Sequence, residues 1–139
     1  MTDLSDADQL QVAEVVRRAD ALATARDVDG YVALITDDML LDGAQGRASG
    51  RDAVRAAIRK IWAAEPHGTL HLTSNVTVTA GDVDEASASS TLSLARGTPA
   101  NPEVWATAPI TQLLRRTRQG WLIARRTVGE DPGTALQQT

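Results

Sequence analysis

The sequence contains no cysteine, no phenylalanine and a single lysine. The lack of cysteine excludes disulfide bonds and thiolate chemistry, and it is compatible with a reducing cytoplasm. With only 3% aromatic residues, the core must be built from Ala, Val, Leu, Ile and three Trp. No apolar run approaches the roughly 20 residues that a membrane helix needs, and the acidic N-terminus lacks the apolar segment of a signal peptide. These absences predict a soluble cytoplasmic protein without a membrane partner.

Positive charge is also scarce. Eighteen acidic residues against 14 basic ones give a net charge of -4, which disfavours a nucleic-acid partner. The 139 residues fit one domain with a buried core. We therefore predict a single domain over residues 1–139, with its core at about 6–129 and a frayed tail over 130–139.

Capping patterns predict helices in the N-terminal half. Ser5 followed by Asp8 is a capping-box signature for a first helix over residues 5–25. Asp27 or Asp29 can cap a second, shorter helix.

The pair Asp37-Asp38 is predicted to end that second helix before a short strand. A glycine-rich loop is predicted over residues 43–50. Ser49 and Asp52 form a second capping-box pattern, which precedes an amphipathic helix whose apolar side holds Val54, Ile58, Ile61 and Trp62.

Alternating polarity predicts four strands after residue 69. In the first, Leu70, Leu72, Val76 and Val78 share one face, which places His71 on the opposite, polar face. In the next, one face holds Ala86, Ala88, Leu92 and Leu94. The prolines of residues 97–102 are expected to keep that loop out of the sheet. Two further strands follow, over residues 104–118 and 121–128. The whole pattern predicts an α+β fold, with helices covering the hollow side of a curved, mostly antiparallel sheet.

The order of elements from Asp27 to Trp62 resembles the NTF2-like superfamily, which includes SnoaL-like polyketide cyclases and ketosteroid isomerases. The shared features are a DG-containing helix, paired acids, a strand, a glycine loop and an SG-capped helix, and Ala108-Pro109-Ile110 adds to the likeness. The resemblance implies a cone-shaped fold with three N-terminal helices packed on the sheet. It also implies a cofactor-free apolar cavity for a hydrophobic small molecule, and a homodimer formed through polar strand faces.

The residues that carry the steroid isomerase reaction are missing. In those enzymes a carboxylate at the end of the first strand moves a proton, while a Tyr and a protonated Asp hold the enolate oxygen. The matching positions here are Gly43 for the base, Ala19 for the Tyr and Thr111 for the neutral Asp. This sequence therefore does not predict the isomerase reaction by that mechanism.

Three other residues are candidates for catalysis. Asp42 ends the first strand beside the glycine loop, and a one-residue bulge would turn it into the hollow; otherwise it is a turn residue. His71 resembles the acid–base His of SnoaL-like relatives, and histidine titrates near neutral pH. Its alternative is a surface or dimer-interface His. Tyr31, the only Tyr, can donate to a substrate oxygen or simply pack at the helix edge.

Five further residues are candidates for substrate binding, namely Asp20, Trp62, Arg96, Trp105 and Thr111. Arg96 ends an apolar strand face, so its guanidinium can point into the hollow and bind an oxyanion. The pairs Arg115-Arg116 and Arg125-Arg126 lie across the last hairpin, and one Arg of each pair must face inward or lie at the end of the sheet. No cluster has metal-ligand spacing, so no metal site is predicted.

Two functions fit these features. The first is a small cofactor-independent enzyme of the SnoaL-like type, an isomerase, cyclase or dehydratase (lyase), that acts by proton transfer on a hydrophobic cyclic or polyketide-like molecule. The second is a non-catalytic dimeric protein that binds a small molecule in the same hollow or assists another enzyme.

Overall fold

A computed structural model describes residues 4–43 and 46–129. The predicted frayed tail, residues 130–139, lies outside the described residues. Within these ranges the structure has three helices, α1 (Asp6–Ala25), α2 (Val28–Val32) and α3 (Arg51–Ala64). Six strands accompany them, β1 (Ile35–Gly43), β2 (Gly46–Ser49), β3 (Leu70–Ala80), β4 (Glu85–Thr98), β5 (Asn101–Thr117) and β6 (Gly120–Val128).

The strands form one sheet in the order β2-β1-β6-β5-β4-β3. All neighbouring pairs are antiparallel except β1 and β6, which run parallel. The predicted α+β class and mostly antiparallel sheet are thus observed, with the meander formed by β3 to β6. The three helices cover one face, and the core between them and the sheet includes Val12, Val16, Val54, Ile58, Leu114 and Ile123. Within the described ranges, none of the helices is both long and apolar enough to cross a membrane.

The first two predicted helix starts are confirmed. The Asp8 N–H donates to Ser5 Oγ at 3.0 Å, and the Ser5 N–H donates back to the Asp8 carboxylate at 3.4 Å, which completes the capping box. The Gly30 N–H donates to Asp27 Oδ1 at 2.9 Å at the start of α2.

The capping box predicted at Ser49 is wrong. Ser49 belongs to β2, where it pairs with Leu40 of β1, so its backbone is already committed to the sheet. Gly50 is the N-cap of α3 instead, at φ 91°, and no side chain caps this helix end. A φ in this range favours glycine because it has no Cβ.

The prediction also misplaced the start of β1 and the ends of the next loops. Asp37 and Asp38 lie inside β1 rather than at a helix end, because β1 begins at Ile35 beside β6. Part of the predicted glycine loop is β2, which pairs with β1. At the β4–β5 turn, Pro102 lies in β5 opposite Gly97, so the predicted loop over 97–102 is mostly strand.

The predicted face assignment of β3 is wrong in its first half. The pairing of β3 with β4 shifts between Ser74 and Thr77, and Asn75 there adopts a left-handed φ of 56°. The extra residue reverses the alternation. His71 consequently faces the helices together with Val76 and Val78, although the sequence pattern places them on opposite faces.

Candidate functional site

A cavity of about 600 Å³ lies between the helices and the covered face of the sheet. Its walls are largely aliphatic and include Leu41, Ala57, Ile58, Ile61, Leu92 and Val128. Two tryptophans also line it, with Trp62 buried on α3 and Trp105 on β5 still 40% exposed. A volume of this size is within the range of small-molecule sites, and apolar walls with a few polar groups are typical of them.

The first polar group on the wall is His71, at the start of β3. Its Nε2 lies 2.8 Å from Oε1 of Glu65, which follows α3, and both side chains are at least nine-tenths buried. Arg26 Nη1 lies 2.8 Å from the same carboxylate oxygen and forms an ion pair with it. A carboxylate only accepts hydrogen bonds, so the short contact requires a proton on His71 Nε2.

The second polar group is Asp20, which is 2% exposed on α1. The Thr73 hydroxyl donates to Asp20 Oδ2 at 2.6 Å. The guanidinium of Arg126, on β6, lies 3.5 Å from Asp20 Oδ1 and forms a buried ion pair with it. The burial is tolerable because each charge has an opposite charge beside it.

Two contacts between α1 and β3 set the separation of the His71 and Asp20 side chains. The His71 N–H donates to Thr24 Oγ1 at 2.8 Å, one helical turn after the Asp20–Thr73 contact. Four helical residues rise about 6 Å, and two strand residues rise about 7 Å. The helix and the strand therefore stay in register across both contacts, and the two groups are displayed about one helical turn apart.

Tyr31 adds a hydroxyl to the same cavity. The residue is 4% exposed, and its ring packs edge-on against Trp62 with 5.8 Å between centroids. Burial raises the pKa of Tyr31 above its ordinary value, while the charges of Arg126 and Asp20 act on it in opposite directions. The hydroxyl therefore stays protonated at neutral pH and can donate a hydrogen bond.

The sequence matches the SnoaL-like domain family over residues 6–127. The chain belongs to this family. None of the curated proteins matches it. Among solved structures, it is similar to a protein of unknown function with a cystatin-like fold from Nostoc punctiforme, at 24% identity and a TM-score of 0.82 over 94% of this chain and 96% of that one.

Two more solved structures share the fold. An NTF2-like protein with a cystatin-like fold from Novosphingobium aromaticivorans is 25% identical, with a TM-score of 0.75 over 94% of this chain and 86% of that one. Aln2 from a Streptomyces species is 17% identical, with a TM-score of 0.79 over 99% of this chain and 100% of that one. The predicted membership of the NTF2-like superfamily is confirmed.

In this SnoaL-like domain, five of the eight predicted site residues line the cavity: Asp20, Tyr31, Trp62, His71 and Trp105. The cavity thus brings together candidates from α1, α2, α3, β3 and β5. Asp42, Arg96 and Thr111 are not among the lining residues.

Asp42 points away from the cavity because β1 alternates regularly at this end. Leu41 and Gly43 line the cavity, so the residue between them faces the other side of the sheet. There its carboxylate lies 3.2 Å from Arg47 and 3.7 Å from Arg125. The bulge that would have turned Asp42 inward is not present at this end of β1.

Arg96 and Thr111 are also directed away from the cavity. On β4, Ala95 is fully buried and Arg96, towards the end of the strand, is exposed. Thr111 is exposed between Ile110 and the buried Gln112. The inward residue after the Ala-Pro-Ile motif is therefore Gln112.

The sequence reasoning missed three residues of the site and left a fourth undecided. Glu65 and Thr73 carry no sequence signal, because their roles depend on the contacts to His71 and Asp20. Gln112 follows from strand parity once Ile110 is placed in the core. For the pair Arg125-Arg126, the sequence did not decide which member faces inward; the structure has Arg126 inward at 7% exposed and Arg125 exposed. In the described part of the SnoaL-like domain, no group of three His, Asp or Glu side chains is arranged to hold a metal ion.

Proposed function

We propose that this SnoaL-like domain is a cofactor-independent enzyme that moves a proton next to a carbonyl group of a hydrophobic cyclic molecule. The reaction would be a cyclisation, an isomerisation or a dehydration. The observation that carries the proposal is the shared cavity, in which a carboxylate-bound His71 and the protonated hydroxyl of Tyr31 open onto largely aliphatic walls.

His71 serves as the general base. With the Nε2 proton donated to Glu65, the lone pair of the neutral ring lies on Nδ1, for which no hydrogen bond is present within residues 4–43 and 46–129. Nδ1 is then the atom that takes the proton from the substrate carbon and later returns it. Glu65 is a positioning residue, because it fixes the tautomer and the orientation of the ring.

Tyr31 supplies the donor for the oxygen that becomes negative when the proton leaves. A neutral hydroxyl in a water-poor cavity stabilises such an oxygen more strongly than the same group in water. The tryptophans and aliphatic side chains then hold the hydrocarbon part of the substrate by apolar burial.

Solvent deuterium exchange tests this proposal without knowledge of the natural substrate. Fused-ring ketones such as 1-tetralone and 2-tetralone are incubated with the protein in D₂O, and mass spectrometry follows deuterium entering the carbon beside the carbonyl. We expect exchange well above the buffer rate, and loss of about 100-fold or more in His71→Asn, the size of a general-base contribution. His67→Asn is the matched control, because His67 is exposed and does not line the cavity. Equal exchange by wild type and His71→Asn would remove the base from the proposal.

Non-catalytic ligand binding is the alternative, and the replacement of all three isomerase groups by Ala19, Gly43 and Thr111 favours it. Trp62 and Trp105 line the cavity, so their fluorescence reports a bound ketone. A saturable fluorescence change with no deuterium incorporation, for every ketone that binds, would select this alternative. In either case we expect a homodimer, which sedimentation velocity would detect.

A further inference from the structure

Arg126 is a buried cation whose hydrogen-bonding capacity is unused. It lines the cavity and is 7% exposed. Over the described ranges, 4–43 and 46–129, its guanidinium makes no hydrogen bond, and its Nη1 is fully buried without a partner. The contact of 3.5 Å to Asp20 is an ion pair that lacks hydrogen-bond geometry. Buried donors in native proteins are nearly always satisfied, so a missing partner points to a group that binds there.

The neighbours of Arg126 repeat this pattern. Gln112 lies directly opposite Arg126 in the β5–β6 pairing and is 1% exposed. Neither atom of its amide has a partner among the residues described. The Tyr31 hydroxyl is close enough for the Arg126 charge to affect its pKa. Unused donors on Arg126 and Gln112 therefore lie side by side in the sheet, with Gln112 Oε1 as the one unused acceptor that accompanies them.

The charge around the cavity favours an acceptor that is negative. Of the cations on the lining, Arg47 and Lys60 are exposed and Arg47 is paired with Asp42, so Arg126 is the buried one; the lining carboxylates are Asp20 and Glu65. Glu65 is already bonded to Arg26 and His71, and Asp20 accepts from Thr73. Both acidic groups are thus occupied by protein donors, while Arg126 retains free N–H groups.

We propose that Arg126 binds a planar anion with two oxygens, which is a carboxylate or the enolate of a 1,3-dicarbonyl group on the substrate. The parallel N–H groups of a guanidinium match two oxygens of one planar group better than a single oxygen. The inference deepens the proposed function, since it names the part of the substrate held about one helical turn from His71. It makes Arg126 the residue that selects oxygen-rich ring compounds over simple ketones.

Two matched pairs of probes test this assignment. One pair is 2-acetyl-1-tetralone, which forms a 1,3-dicarbonyl enolate, and 1-tetralone, which has a single carbonyl. The other is 2-naphthoic acid and its methyl ester, which differ in the anionic carboxylate. Binding is measured by isothermal titration calorimetry on the full chain at low ionic strength. We expect wild type to bind the two-oxygen anion at least tenfold more tightly than its partner in one pair or both, and the pair that responds identifies the anion.

Variants then assign the preference to one guanidinium. Arg126→Gln and the charge-balanced double variant Asp20→Asn with Arg126→Gln should lose the preference, and the double variant guards against misfolding from an unpaired Asp20. Arg125→Gln is the matched control, because the neighbouring Arg125 is exposed and contacts Asp42 on the other side of the sheet. Asp20→Asn alone should bind the anion more tightly than wild type, since it removes the competing carboxylate.

The outcomes separate this inference from the proposed proton transfer. Suppose that Arg126→Gln loses the preference for the two-oxygen anion and that the wild-type protein catalyses no deuterium exchange. This result supports the anion site and refutes the catalytic proposal. Deuterium exchange that persists while Arg126→Gln keeps the wild-type preference refutes the anion site alone. Equal affinity of wild type for both members of both pairs also overturns it.

Discussion

A substitution at Tyr31 distinguishes an effect on function from an effect on stability. Tyr31→Phe removes a buried hydroxyl that has no protein partner in the described structure and keeps the edge-on contact with Trp62. We expect the free energy of unfolding to change by no more than about 0.5 kcal/mol, while the deuterium exchange rate falls by about 100-fold. Urea denaturation and the exchange assay measure the two quantities. An unchanged exchange rate would exclude the hydroxyl as the oxygen donor.

Thr73 supports the buried carboxylate of Asp20. Thr73→Val keeps the shape of the side chain but removes the hydrogen bond of 2.6 Å. We expect a loss of about 1.5–3 kcal/mol in the free energy of unfolding, because the bond is to a charged group. Thr77→Val, at an exposed position of the same strand, is the control and should change stability by less than about 0.5 kcal/mol. Equal effects of the two variants would mean that the Asp20 contact contributes nothing.

The sequence indicated which residue types could form the site, but it only partly predicted which of their side chains point into the cavity. Five of the predicted site residues, Asp20, Tyr31, Trp62, His71 and Trp105, line the cavity. The sequence could not predict that Asp42, Arg96 and Thr111 lie outside the cavity, because the register of a strand determines which side of the sheet a side chain faces. Register depends on pairing shifts such as the one between Ser74 and Thr77, which arise between strands and leave no local signal.

At the level of elements, the bulge in β3 determines which face His71 occupies. Asn75 holds the bulge at φ 56°, a conformation that Asn and Gly tolerate better than other residues. Asn75→Gly should therefore leave stability within about 1 kcal/mol, whereas Asn75→Val should destabilise by about 1–2 kcal/mol or more. Thermal unfolding compares the two variants. If valine were tolerated as well as glycine, the left-handed turn would not be required for the strand.

The docking of α1 on the end of the sheet gives a pH dependence. Arg116 donates to both oxygens of Asp8 at 2.8 and 3.0 Å and also lies over the Trp121 ring. The hydrogen bonds from Arg116 hold the pKa of Asp8 far below its ordinary value. A lowered folded-state pKa means that this stability is fully present above the unfolded-state pKa of about 4 and is lost as the pH falls below it.

Asp8→Asn should therefore lower Tm at pH 7 by more than it does at pH 3. The difference in Tm between wild type and variant, measured by circular dichroism across this range, is the readout. Asp6→Asn is a matched control because Asp6 is also in the first turn of α1, and its effect should not shrink in the same way. A wild-type advantage that stays constant down to pH 3 would contradict the role of the Asp8–Arg116 pair.

For the whole molecule, the sequence predicted the fold more completely than it predicted the candidate site. Local signals such as the Ser5 capping box and the Val54-to-Trp62 stripe gave the helices, and alternation gave the meander from β3 to β6. The parallel pairing of β1 with β6 and the short strand β2 were not predicted, because they join segments far apart in sequence or too short to show a pattern. The cavity results from all of these elements together, so only its existence could be inferred.

The most direct test of the proposed chemistry is a crystal structure of the protein with 2-acetyl-1-tetralone at neutral pH. We predict the ring system between Trp62 and the aliphatic walls, its two oxygens within hydrogen-bond distance of Tyr31 and Arg126, and the carbon between its carbonyl groups facing Nδ1 of His71. A ligand whose oxygens face the cavity mouth, with His71 out of reach of that carbon, would contradict both proposed roles.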